Sequence, residues 1–149
     1  MSPGAVAVRV AVAALVAAAG AYAGNRLYRG RLGPRAIVLI APGLEEALKT
    51  GLALLLGAPV LVAHGSFGLL EAAYDLTAGR DRRGSRRAAA ALSGLGGHTL
   101  FGALTVAVAG TLTGAGSLGA LAWVAGSAVA YLVHVGWNAL VMGRVKTTR

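Results

Sequence analysis

At 149 residues, 56% hydrophobic and only 13% charged, with a mean hydropathy of +0.69, the chain lies well outside the composition of a soluble domain, in which about 25% of residues are charged. The net charge of +9 and pI of 11.4 would suit a nucleic-acid partner, but the basic residues come as short arginine clusters beside apolar stretches, a pattern that faces anionic lipid headgroups instead. With no cysteine, disulfides, thiolate metal sites and cysteine nucleophiles are excluded.

A spanning helix needs roughly 20 mostly apolar residues, and five stretches meet that length, at about 4–24, 36–57, 58–77, 88–110 and 117–143. They predict an all-α bundle of five spans forming one membrane domain over residues 1–149. The first stretch has a rival reading. Arg9, the apolar run from Val10 and Ala21-Tyr22-Ala23 together resemble a cleavable signal peptide. Between spans two and three, Pro59 follows Gly57-Ala58 and turns the chain, because proline disfavours helix in the residue before it. Gly114 to Gly119 provides the turn between four and five. Glycines at i and i+4, Gly20 with Gly24 and Gly110 with Gly114, are spaced for close helix packing.

Charge sets the expected orientation. Arg26, Arg29, Arg31 and Arg35 lie between spans one and two, Arg80, Arg82, Arg83, Arg86 and Arg87 between three and four, and Arg144, Lys146 and Arg149 in the tail. Twelve of the fourteen basic residues thus fall on one side, and the opposite loops carry no charge. The positive-inside rule then places the N-terminus outside and the C-terminus in the cytoplasm, which favours a first span over a signal peptide.

Glu45, Glu46 and Glu71 lie within predicted spans, as do all three histidines, His64, His98 and His134. A charge near the bilayer centre costs about 2.5 to 3.5 kcal/mol even on insertion scales, so such residues face the bundle interior and mark function. Glu45 lies roughly 14 Å into its span at 1.5 Å per residue, and His98 is at similar depth. Lys49 is placed at i+4 and i+3 from Glu45 and Glu46 and can neutralise one of them, leaving the other. Adjacent residues project about 100° apart, so the two carboxylates are not expected to present one face to one target. His64, Phe67 and Glu71 share a face of span three, and His134 and Asn138 a face of span five. A lone His64 is more often a hydrogen-bonded helix contact than a ligand. Trp123, Tyr131 and Trp137 read as packing or interface residues.

Four motifs in order carry a resemblance. Glu45-Glu46-Ala47-Leu48-Lys49 resembles the EExxK motif of the PrsW family of intramembrane proteases, and Phe67-Gly68-Leu69-Leu70-Glu71 its FxxxE. His98-Thr99-Leu100-Phe101-Gly102 is similar to the family's HxxxG helix, and His134-Val135-Gly136-Trp137-Asn138 to its last histidine motif, which also echoes the HxxxN of type II CAAX prenyl proteases. The resemblance covers about residues 42–138. Ala72 stands where the family usually has asparagine, and only one helix precedes the motif core. The resemblance implies a multi-pass protein of the prokaryotic plasma membrane. Its substrate would be a single-span membrane protein such as an anti-sigma factor, with no nucleic acid involved.

Peptide hydrolysis needs an activated water and a group to stabilise the oxyanion. In one scheme Glu45 or Glu46 is the base, while His98 or His134 with Asn138 donates to the oxyanion and no metal takes part. In the other, His98, His134 and Glu71 hold zinc with an open fourth position and a Glu45/Glu46 carboxylate is the base. Two non-enzymatic readings stand beside these: a catalytically silent membrane scaffold, and a proton-linked transporter or channel.

Overall fold

The computed structural model describes residues 1–32, 35–78, 84–116 and 119–146, and the side chains of these except 35–37, 78 and 141–146. All regular structure among them is helical: α1 (Pro3–Leu32), α2 (Arg35–Leu56), α3 (Val60–Ala78), α4 (Gly84–Gly114) and α5 (Gly119–Lys146). One helix occupies each predicted stretch, and most run longer than expected. Arg26, Arg29 and Arg31 belong to the last turns of α1, and Arg86 and Arg87 to the first turn of α4, instead of to loops. Arg80, Arg82, Arg83 and Arg149 lie outside the described residues.

The helix ends follow local chemistry. Pro3 opens α1, where a missing N–H is harmless, and Ser2 Oγ accepts the Ala5 N–H at 3.3 Å. At the end of α2 the Ala58 N–H reaches Ala53 O at 2.8 Å and the Gly57 N–H reaches Leu54 O at 3.2 Å, with Gly57 at φ 64°. This is a Schellman closure, which needs a left-handed residue that glycine supplies without strain. The turn expected from Pro59 is therefore made by Gly57, and proline acts afterwards as the barrier to helix.

Consecutive helices pack as neighbours, and α2 also touches α3 and α5, so it sits centrally with α1, α3 and α5 around it. Gly20 and Gly24 lie against Leu48 and Leu44 of α2, as their spacing predicted. Gly110 and Gly114 face open space and pack nothing within the chain. The closest approaches to backbone atoms lie elsewhere. A Cβ on Gly68 would stand 3.1 Å from both Leu95 Cα and His98 Cβ, and one on Gly126 would collide with the Thr105 carbonyl.

The distribution of polarity is inverted relative to a soluble protein. Lys49, His64 and Glu46 are among the largest fully buried side chains, while Leu55, Leu92, Leu132 and Val124 are two-thirds or more exposed. Such an apolar exterior suits lipid as solvent. Three helices, Pro3–Leu32, Gly84–Gly114 and Gly119–Leu140, are long and apolar enough to cross a membrane. The other two are 22 and 19 residues long and carry the charges of the site.

Candidate functional site

Every polar side chain of the site comes from mid-helix, where backbone groups are already paired and only side chains remain to make contacts. α2 presents Glu45, Glu46, Lys49 and Thr50; α3 presents His64 and Glu71; α4 presents His98; and α5 presents His134. Of these only Glu71 is substantially exposed, at 44% of its side chain.

Lys49 is the hub. Its Nζ donates to Glu46 Oε1 at 2.5 Å and to His98 Nδ1 at 2.8 Å. An ammonium has no lone pair, so His98 must accept at Nδ1 and carry its proton on Nε2. That proton is donated to Glu71 Oε2 at 2.5 Å. A continuous chain Glu46–Lys49–His98–Glu71 thus runs from the interior of α2 through α4 to the exposed face of α3. Lys49 also lies 4.8 Å from the Phe67 ring centroid, and Phe67 meets the His98 ring edge-on at 4.8 Å.

The carboxylates of Glu45 and Glu46 straddle one imidazole. His134 Nδ1 donates to Glu46 Oε1 at 3.0 Å, and its Nε2 faces Glu45 Oε2 at 3.8 Å. Adjacent residues were not expected to serve one target. They do because an imidazole offers two nitrogens on different edges, and side chains about 100° apart can reach one each. Phe101 stacks on His134 at 4.4 Å and so fixes the plane of the ring. The second ring nitrogen, Nε2, is thereby turned towards Glu45.

His64 is fully buried, with Nε2 3.1 Å from Thr50 Oγ1 and Nδ1 3.7 Å from Glu46 Oε2. These last two atoms have no hydrogen-bond partner among the described residues. Asn138 lies one turn beyond His134 on α5 and is partly buried.

One contributor was absent from the sequence reading. Asn25 on α1 donates from Nδ2 to Glu45 Oε1 at 3.2 Å. No motif marks it, and the only signal was an amide following the apolar run of α1.

Glu45, His98 and His134 could hold a metal ion, since one ligand atom from each lies within 4.8 Å of the others. This group differs from the expected set of His98, His134 and Glu71 in its carboxylate: Glu45 lies beside both histidines, while Glu71 meets His98 Nε2. Two imidazoles and a carboxylate suit zinc with one open position. The fit has a condition. Both His98 nitrogens are engaged, so a metal has to displace Lys49 or Glu71, and the Lys49 ammonium opposes a second cation.

Compared with known proteins, the chain matches no family profile, no curated protein and no solved structure.

Proposed function

We propose that the chain is an intramembrane protease of the PrsW kind, a five-span protein of a prokaryotic plasma membrane with its N-terminus outside. It would hydrolyse peptide bonds of single-span membrane proteins. The observation that carries this reading is the approach of Glu45 Oε2 to His134 Nε2, 3.8 Å apart, inside a buried cluster of ionisable groups. A water held against both has an acceptor for its proton and a second base beside it.

The contacts also separate the two glutamates. Glu46 Oε1 is committed to Lys49 and His134, whereas among the described residues Glu45 meets Asn25 alone at hydrogen-bond distance, so Glu45 is assigned as the base and Glu46 as the anchor of Lys49. The engaged nitrogens of His98 favour the metal-free scheme over zinc. In that scheme His98 and Asn138 serve the oxyanion once substrate displaces their present partners. Orientation rests on the arginine asymmetry, and the packing of α1 on α2 through Gly20 and Gly24 supports a first span that belongs to the bundle.

The test is cleavage of a labelled single-span substrate by purified protein in detergent or vesicles, wild type against Glu45→Gln. Cleavage lost in the folded variant supports the protease. Absence of cleavage by wild type across a panel of substrates favours the scaffold, and proton flux into vesicles without cleavage favours the transporter.

A further inference from the structure

Asn25 is the one polar side chain through which α1 enters the site, and its geometry is directional. A carboxylate only accepts, so the amide turns Nδ2 to Glu45 Oε1, at 3.2 Å, and is left with Oδ1 on its other arm. That Oδ1 is buried and has no partner among the described residues. An amide needed only for packing would be matched on both arms or replaced by an apolar residue, since an unpaired buried acceptor is unfavourable. The contact also falls on the glutamate that is otherwise loosely held. Lys49 and His134 hold Glu46 at 2.5 and 3.0 Å, while Glu45 Oε2 stands 3.8 Å from His134 Nε2.

We propose that Asn25 is a positioning residue: it fixes the Glu45 carboxylate towards His134 and makes α1 part of the site, not merely a membrane anchor for it. This rests on the assignment of Glu45 as the base of a protease. Without the amide, Glu45 is free to swing from His134, so turnover falls while substrate binding, made by other surfaces, is retained. Asn25→Asp sets a second carboxylate against Glu45 and is worse than Asn25→Ala. Asn25→Gln keeps the donor on a longer arm and recovers part of the loss.

Two measurements on the purified full chain keep this inference separate from the protease reading. The first is a double-mutant cycle of Asn25→Ala with Glu45→Ala, which removes the acceptor, read as detergent unfolding midpoints, with Glu46→Ala replacing Glu45→Ala as control. Non-additivity confined to the Glu45 cycle is expected, and full additivity overturns the contact whether or not the protein cleaves anything. The second is the kinetic split. Asn25→Ala is expected to lower kcat about 10- to 100-fold with KM within about twofold, because misplacing a reacting group costs on that scale. Unchanged kcat, or a loss carried wholly by KM, overturns the positioning role even if the cycle couples. If wild type cleaves nothing, the protease reading fails and the cycle alone decides whether α1 holds Glu45.

Discussion

Lys49 reaches from α2 to His98 on α4, Nζ to Nδ1 at 2.8 Å, and thereby decides which nitrogen of the imidazole carries the proton. The same ammonium neutralises Glu46, so one buried cation both pays the charge balance of the core and orients a site histidine toward Glu71.

Removing that cation leaves Glu46, at 1% exposure, without its buried counter-charge. Lys49→Met is expected to destabilise the bundle by about 3 to 5 kcal/mol, the cost of breaking one side of a buried pair. The double variant Lys49→Met, Glu46→Gln recovers most of it, because no charge is then stranded. Lys49→Arg does not substitute, since a planar guanidinium cannot occupy the space of an ammonium between Glu46 and His98. Unfolding by denaturant in micelles measures all three, and a Lys49→Met protein as stable as wild type counts against the pairing.

The crossing of α4 and α5 gives a contrast free of charge. Gly126→Ala drives a methyl into the Thr105 backbone, which cannot move aside as a side-chain tip can, and a loss of about 1 to 3 kcal/mol is expected. Gly110→Ala, on the open face of α4, should fall within about 0.5 kcal/mol of wild type. The two unfolding midpoints, compared in one detergent, check the pair.

The five helices were legible because each is a long apolar run, and the burial of Glu45, Glu46, His98 and His134 followed from the cost of leaving charge on an apolar exterior. The ends were not, since helix continues through Arg26 to Arg31, where arginine and leucine are both good helix formers. Within the site, the pairing of Lys49 with Glu46 was readable as one of two helical spacings. The contacts of Glu45 and Glu71 were not. Whether Glu45 or Glu71 stands between His98 and His134 depends on how α3 rotates against α4, and that is set by the close approach at Gly68, which spacing along one helix cannot reveal. Asn25 was missed for the same reason, as it acts across helices.

Topology is tested directly. From the clusters around Arg83 and in the tail from Arg144 we expect those regions in the cytoplasm, and the uncharged turn at Ala115 outside. Reporter fusions at residues 83 and 115 should therefore give cytoplasmic and external signals respectively, and the reverse pattern revives the signal-peptide reading of α1.

If the site takes zinc, the geometry names its ligands. Elemental analysis should then find about one ion per chain, lost in His98→Ala, His134→Ala and Glu45→Gln alike, and retained in Glu71→Gln. Loss on Glu71→Gln with retention on Glu45→Gln would restore the ligand set expected from sequence. A metal-free preparation that still cleaves substrate supports the glutamate scheme.

The last prediction orders the site by what each side chain contributes to turnover. Glu45→Gln preserves shape while removing the base, so a loss of about 10² to 10⁴ in kcat is expected with unfolding unchanged. Glu46→Gln acts through Lys49 and should appear first as lost stability. His134→Ala removes the partner of both glutamates and is as severe as Glu45→Gln. His98→Ala should match it, whereas Glu71→Gln is milder, because a neutral amide can still accept from His98 Nε2 and hold the same tautomer. Asn138→Ala should lose roughly 10² to 10³ in rate if it serves the oxyanion. His64→Ala is the least severe, since its hydrogen bond goes to Thr50 and not to Glu45. Rates of substrate cleavage, each normalised to the folded fraction of the variant, decide the order. A Glu46→Gln protein that folds normally yet cleaves nothing, beside an active Glu45→Gln, would exchange the two roles assigned here.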